Sequence, residues 1–178
     1  LLGDNSSGLT GRLLLREGTI TITNANSLGI GTLELGRSSD TATLQVNDTT
    51  TRTNAIAIAD ASTAGVINVT NGKTFTINAN LSNTNSGTTA TTKFGKAGAG
   101  TLVLGGTAST YAGQIQIGDG TVVLANSSAL GTNASTANRG IDLGLNVGDV
   151  VQANNVAILA SSGVTVSNSI YVAANTNS

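Results

Sequence analysis

The sequence predicts an all-β fold, a parallel β-helix (β-solenoid) of about five to seven coils. Three observations predict it: apolar residues alternate with polar ones in short bursts, Gly and Asn bound the bursts, and a long segment repeats. Of the 178 residues, 28 are Thr, 23 Gly, 20 Asn and 17 Ser. Disorder is not expected, because 39% of the chain is apolar and only 10% is charged.

The apolar period is two along most of the chain, in bursts of four to six residues. Each burst is predicted to be a short strand with one buried face. In chain order the alternating positions are Leu13/Leu15, Ile20/Ile22, Leu33/Leu35, Leu44/Val46, Ile56/Ile58, Val66/Ile67/Val69, Phe75/Ile77, Leu102/Leu104, Ile115/Ile117, Val122/Leu124, Ile141/Leu143, Val156/Ile158, Val164/Val166 and Ile170/Val172. Ala125–Leu130 is the one weak candidate for a helix.

A segment of about 102 residues repeats within the chain. Gly11–Ile22 reads like Gly113–Leu124, and the second copy then carries about six extra residues. The chain is therefore predicted to be a single solenoid segment over residues 1–178, with one copy at 11–112 and an incomplete copy at 113–178. It is expected to belong to a longer repetitive protein.

Two architectures fit about nine strand-like bursts per repeat. One is the β-helix, with about three strands per coil, and the other is a row of immunoglobulin-like sandwiches of about 100 residues each. A sandwich core uses a large aromatic anchor, but the chain has no Trp, no Pro, and only two Tyr and two Phe. A β-helix packs stacked aliphatic side chains and turns its corners with Gly and Asn, so the composition favours it.

The stretch Lys93–Gly131 resembles the autotransporter-associated β-strand repeat of bacterial passenger domains. The family pattern K-x-G-x-G-T-L-x-L is matched by Lys96–Leu104, and its later Y-x-G by Tyr111–Gly113. Leu1–Gly29 is a second, partial copy, in which Leu9 stands where the other copy has Tyr111. The resemblance implies a right-handed, secreted β-helical stalk on a Gram-negative-type cell surface, with an outer-membrane barrel outside this chain.

The composition removes several classes of chemistry. Cys and His are absent, so no disulfide, no zinc site of Cys or His, no His base and no Cys nucleophile is expected. The net charge of -1 argues against a nucleic-acid partner. We therefore predict no enzyme, no cofactor, and no catalytic, cofactor-binding or metal residue, and the binding residues remain unknown.

Acidic residues at equivalent places in the repeat are not expected to form a catalytic pair. Glu34 matches Asp142, and Glu17 matches Asp119. Equivalent places three or four coils apart would be about 14–19 Å apart at the usual strand spacing, whereas a glycosidase pair needs about 5–9.5 Å. Alternation also points Glu34 and Asp142 outward, so we expect solvated faces and turns.

Two further acidic pairs could approach across neighbouring strands, as in a carbohydrate-active enzyme. These are Asp142 with Asp149, and Asp40 with Asp48. Turn chemistry is the preferred interpretation of Gly118–Gly120 and Gly148-Asp149, since the glycine-rich calcium motif works only when it recurs every nine residues or so. Gly72–Thr74 lacks the earlier Gly of a phosphate loop.

Outward threonines could bind polysaccharide or ice-like water, although Thr is also an ordinary strand residue. They are Thr19, Thr21, Thr23, Thr74 and Thr76. Tyr111 is expected to pack over the coil at a corner, because its counterpart Leu9 is apolar.

The predicted function is structural: an extracellular stalk or passenger at the bacterial cell surface, attached to the outer membrane or released, that supports adhesion or display. Its expected partners are copies of itself, end to end or laterally, a host or neighbouring cell surface, or polysaccharide. The alternative is a subunit of an extracellular filament that stacks end to end. A carbohydrate-active β-helix enzyme is the less favoured third hypothesis.

Overall fold

A computed structural model of the chain describes residues 8–37, 40–59, 65–84, 92–131, 140–144 and 155–172. In chain order the strands are β1 (Leu13–Leu15), β2 (Gly18–Ile22), β3 (Leu33–Leu35), β4 (Ala42–Val46), β5 (Thr50–Arg52), β6 (Ile56–Ile58), β7 (Gly65–Val69), β8 (Thr74–Ile77), β9 (Leu81–Asn83), β10 (Lys93–Ala97), β11 (Thr101–Leu104), β12 (Gln114–Ile117), β13 (Gly120–Leu124), β14 (Ile141–Leu143), β15 (Val156–Ala160) and β16 (Ile170–Val172).

These strands form three parallel sheets that wind into a β-solenoid of about five turns. Sheet A has the order β1-β3-β6-β9, sheet B the order β2-β4-β7-β10-β12-β14-β16, and sheet C the order β5-β8-β11-β13-β15. Every pairing between the described strands is parallel. The predicted all-β parallel solenoid is confirmed.

The core consists of the inward side chains of the three sheets. Alternation along each strand sends one set of side chains to the interior and the other to the outer face. In sheet C, for example, Phe75, Leu102 and Val122 stack in register on successive strands, and each is at most 1% exposed. These aliphatic and aromatic columns remove apolar surface from water in every turn, which is the main favourable term in folding.

Several details differ from the sequence prediction. β5, β9 and β10 were not among the predicted strands. Ala125–Leu130 is a turn rather than a helix, whereas a 3₁₀ helix occurs at Ala25–Leu28. Val164 and Val166 were predicted to form a strand but lie in an irregular segment. The reason is that sheet A ends at β9, so the chain runs without strand pairing where it crosses that side after β11 and after β15.

The equivalent strands of the internal repeat lie on different sheets. β1, β2 and β3 belong to sheets A, B and A, whereas their sequence counterparts β12, β13 and β14 belong to sheets B, C and B. Successive coils differ in length, since Leu44 pairs with Ile67, Ile67 with Lys96, and Lys96 with Ile117. The repeat therefore does not span a whole number of turns, and the expected separation of about 14–19 Å between equivalent places, which assumed a stack on one side, is wrong.

Local geometry is nevertheless shared by the two predicted copies. Gly18 and Gly120 both have positive φ, +78° and +72°, and so do Gly29 and Gly131, at +70° each. The division into copies at 11–112 and 113–178 stays a prediction that these angles support. Within the described ranges, no helix has the length and apolarity that crossing a membrane would take.

Candidate functional site

The corner between sheets B and C at β10–β11 is built from glycine. Residues 98–100 connect the two strands, and residues 118–119 make the same corner in the next coil, between β12 and β13. A Cβ placed on Gly98 would overlap the backbone of Val69 in the coil before, and one on Gly120 would overlap the carbonyls of Gly98 and Gly100. The backbones of successive corners are thus in direct contact, which explains the glycines of the K-x-G-x-G pattern.

Lys96 lies in the core beside this corner. In sheet B it is opposite Ile67 on one neighbouring strand and Ile117 on the other, on the same inward face as Phe94. Its side chain is fully buried. A cation therefore interrupts an otherwise aliphatic column, which is expensive unless the charge is hydrogen-bonded.

The ammonium group of Lys96 is held by backbone carbonyls of two coils. Its Nζ donates to the oxygens of Ala97 (2.8 Å) and Gly98 in its own coil and of Asp119 (3.1 Å) in the next. Burial lowers the pKa of Lys96 to about 8, and the negative charge of Asp119 opposes that lowering. The side chain thus satisfies corner carbonyls and joins the two coils.

Asp119 takes part in the same corner. Its Oδ1 accepts a hydrogen bond from the backbone N–H of Gly120 at 2.9 Å, and the residue is 7% exposed. This is the turn chemistry expected of an Asp-Gly corner. Within the part of the chain that the structure describes, no group of three or more acidic residues could hold a metal ion, and Gly148-Asp149 lies outside the described residues.

Tyr111 packs into the core where the chain returns from sheet C to sheet B, as predicted. It is fully buried, and its ring meets Phe94 edge to face with the centroids 6.4 Å apart. Its Oη lies within hydrogen-bond distance of the carbonyls of Gln114 (2.9 Å) and Thr92 (3.2 Å). A Cβ on Gly131 would overlap the backbone of Tyr111, as one on Gly29 would overlap Leu9.

Arg52 is a second buried cation, and it was not among the residues predicted from the sequence. It is 2% exposed and lies opposite Ile77 in sheet C. Its Nη2 donates to the carbonyl of Gly31 at 2.6 Å, and its Nη1 is 3.4 Å from that of Gly29, both in the preceding coil. Burial lowers its pKa. The residues before it, Thr50 and Thr51, are polar, so no alternation of apolar residues indicated that Arg52 points inward.

The acidic pair at equivalent places is separated by the fold. Glu34 lies on β3 of sheet A, where its Oε2 forms an ion pair with Arg12 at 2.9 Å. Asp142 lies on β14 of sheet B and is 1% exposed, with its Oδ2 accepting from Gln114 Nε2 at 2.6 Å. The expectation of a solvated Asp142 is therefore wrong, because its carboxylate is buried and bound to Gln114 although it points outward from the sheet.

The other acidic pairs do not form a site among the described residues. Asp40 precedes β4 and Asp48 follows it, so five strand residues, about 17 Å at the usual rise, separate them. Asp48 instead binds Lys73 at 2.9 Å, and this ion pair with the hydrogen bond from Thr49 lowers the pKa of Asp48. Their predicted approach across strands is wrong, and Asp149 lies outside the described residues.

The outer face of sheet C carries the predicted threonines of β8. Thr74, Thr101 and Thr121 are in register on three neighbouring strands, and Thr76 lies beside Val103 in the next column. All five side chains are half-buried. These five positions carry no charged side chain.

The Lys96 corner and Tyr111 fall within one family repeat. Residues 94–128 match the model of the family described as Passenger-associated-transport-repeat. The predicted resemblance is confirmed for this stretch. The repeat supplies the side chain and the glycines that stack one coil on the next, and together with the β-solenoid it fits an autotransporter passenger domain. Neither curated proteins nor solved structures gave a match to the chain.

Proposed function

We propose that the chain is a length of β-solenoid stalk in the passenger domain of a bacterial autotransporter, exposed outside the cell. It acts as a scaffold for adhesion or display and performs no catalysis. The observation that carries this proposal is the passenger-associated repeat at residues 94–128, whose motif residues lie at the contact between two coils.

The use of the polar side chains supports a scaffold. Lys96 and Arg52 donate to backbone carbonyls of neighbouring coils. The hydroxyl of Tyr111 lies within hydrogen-bond distance of the carbonyl of Gln114 in its own coil and of Thr92 in the coil before. The acidic groups that could have formed a catalytic pair bind elsewhere: Glu34 to Arg12, and Asp48 to Lys73. These groups hold the rod together instead of facing a shared cleft.

A rod follows directly from the parallel ladders. Each coil adds one strand spacing, about 4.8 Å, so about five turns extend roughly 24 Å. Hydrogen bonds along sheet B, which runs from β2 to β16, and a filled interior resist bending, and further coils of the same kind would lengthen the rod without changing its width. Such a stalk would hold a surface or a terminal module away from the membrane.

The first test is surface exposure in cells that produce the full protein. A short epitope inserted at the exposed turn Asn71-Gly72, where a Cβ on Gly72 meets nothing within 4 Å, should bind antibody on intact cells. Added protease should remove that signal while a periplasmic marker survives. An epitope that is detected only after permeabilisation would contradict the proposal.

The absence of catalysis has its own test. Purified protein incubated with a panel of polysaccharides should release no reducing sugar or unsaturated product above a boiled control. Product release that disappears in Glu34→Gln or Asp142→Asn would instead establish a carbohydrate-active enzyme.

Adhesion needs a separate measurement. Cells that carry the full protein should sediment together, or bind host cells or immobilised polysaccharide, more than cells from which the chain has been deleted. Equal behaviour of the two strains would leave display of another module as the role.

End-to-end filament assembly is a second proposal. A solenoid terminates in strands whose outer N–H and C=O groups are unpaired, and such an edge can pair with another chain. A second copy that added its coil to such an edge would continue the sheets. Fibres in electron micrographs of the secreted material, growing with protein concentration, would support assembly, and a single sedimenting monomer at all concentrations would contradict it.

A further inference from the structure

The inward columns of this solenoid hold few features that distinguish one register from another. In sheet B, Leu44, Ile67 and Ile117 share one column with Lys96, and the neighbouring inward column through Ala42, Gly65, Phe94 and Ile115 is uncharged. A coil that slipped by two residues would keep its apolar side chains inward, since the side-chain period is two. Hydrophobic burial alone therefore penalises such a slip weakly.

Lys96 distinguishes one register of neighbouring coils from the others. It stands in the same column, between Ile67 and Ile117, and its Nζ reaches the carbonyl of Asp119 in the next coil at 3.1 Å. A two-residue slip of β12 along β10 would move that carbonyl by about 6.7 Å, beyond hydrogen-bond reach. The ammonium would then stay buried with one coil's carbonyls only.

Arg52 has the same arrangement at another pair of coils. It lies inward in sheet C, opposite Ile77, and its guanidinium binds the carbonyls of Gly31 and Gly29 in the preceding coil. Both side chains are long, buried and cationic, and both end on corner carbonyls of a neighbouring coil. Two independent positions thus use the same device.

We propose that Lys96 and Arg52 set the register of coil stacking, each by a buried cation that finds its backbone acceptors in one alignment of neighbouring coils. Buried polar groups are known to select one alignment among several apolar ones at some cost in stability. Lys96 aligns the coil of β12–β13 on that of β10–β11, and Arg52 aligns the coil of β3–β5 on that of β1–β2.

Disulfide trapping in the full chain can test this register directly, because the sequence has no Cys of its own. Val103 and Val123 are paired on the outer face of sheet C, so cysteines there should cross-link. Cysteines at Val103 and Thr121, or at Thr101 and Val123, would be about 8 Å apart diagonally and should not. Those two diagonal pairs report slips in the two directions.

The deciding variant is Lys96→Met, which fills the column with an apolar side chain of similar length. We expect its circular dichroism to keep the β-sheet signal while at least one diagonal pair cross-links tenfold more than in the wild-type background. Lys93→Met is the matched control, because Lys93 lies on the outer side of the same strand, and it should leave the pattern unchanged.

Arg52→Met provides the second test, read between β2 and β4. There Thr21 and Gln45 are paired, and Thr19 with Gln45 is the diagonal pair that should gain cross-linking. A cross-link pattern identical to wild type in both variants would overturn the proposal. Loss of the β-sheet signal in both would also overturn it, since the two cations would then be needed for folding itself rather than for register.

Discussion

The pH dependence of stability tests the description of Lys96 as a desolvated cation. Burial lowers its pKa to about 8, from 10.5 for an ordinary lysine. Between these two values the unfolded chain holds a proton that the folded chain has released. Stability should therefore rise with pH across this window, because the unfolded state binds more protons.

The size of the effect follows from the difference between the two pKa values. One pKa unit corresponds to about 1.4 kcal/mol, so Lys96 should add about 3 kcal/mol to the free energy of unfolding between pH 7 and pH 10.5. Asp119 is the nearby charged group that opposes the lowering, and its replacement by Asn should enlarge the rise.

The assay is denaturant unfolding, followed by circular dichroism, at pH 7, 8, 9, 10 and 10.5. Other lysines and the tyrosines also titrate at high pH, so the quantity to use is the difference in unfolding free energy between wild type and Lys96→Met. That difference should increase by about 3 kcal/mol over the range. A flat or falling difference for Lys96 would refute the reasoning and show that the three carbonyl bonds outweigh desolvation.

Three further expectations concern single side chains and can be checked by the same unfolding assay. Leu102→Ala, in the core, should lower the free energy of unfolding by about 2–5 kcal/mol, whereas Val103→Ala on the outer face should change it by under about 1 kcal/mol. Gly72→Ala should cost about 1–2 kcal/mol for its left-handed backbone alone, and Gly120→Ala should cost clearly more because its Cβ also meets the coil before. Tyr111→Phe should cost about 1–3 kcal/mol, since it leaves buried carbonyls without the hydroxyl. Equal costs within either of the first two pairs, or no cost for Tyr111→Phe, would contradict the packing described.

Local pattern predicted thirteen of the sixteen described strands and missed β5, β9 and β10. The alternation of Ile20 with Ile22, or of Leu102 with Leu104, carries the period of a half-buried strand, and no other local signal competed with it. The same rule could have found Lys96, because Phe94 is inward and a residue two positions later points the same way. The charge of Lys96 favoured a place on the surface. Its burial is stabilised by carbonyl acceptors from two coils, which only the winding of the chain brings together.

Tertiary placement decided what the local pattern could not. Alternation correctly turns Asp142 outward from sheet B, yet whether an outward position meets water depends on what else covers that sheet. Val164 and Val166 show the converse. They alternate like a strand, but sheet A ends at β9 among the described strands, so their segment has no neighbouring strand to pair with. A strand needs a partner as well as a pattern.

The rotation of the repeat from one sheet to the next has the same origin. The sequence specifies a module of strand, glycine corner, strand and turn, seen once in β1 and β2 and again in β12 and β13. The side on which a copy of the module lies depends on the summed length of the coils before it, and those coils differ in length. β1 lies in sheet A and β12 in sheet B. A binding group at one place of the module would therefore face different directions in successive copies. Adhesion that needs one continuous face would have to use a column of residues within one sheet instead of equivalent places of the repeat. Such a column is Thr74, Thr101 and Thr121.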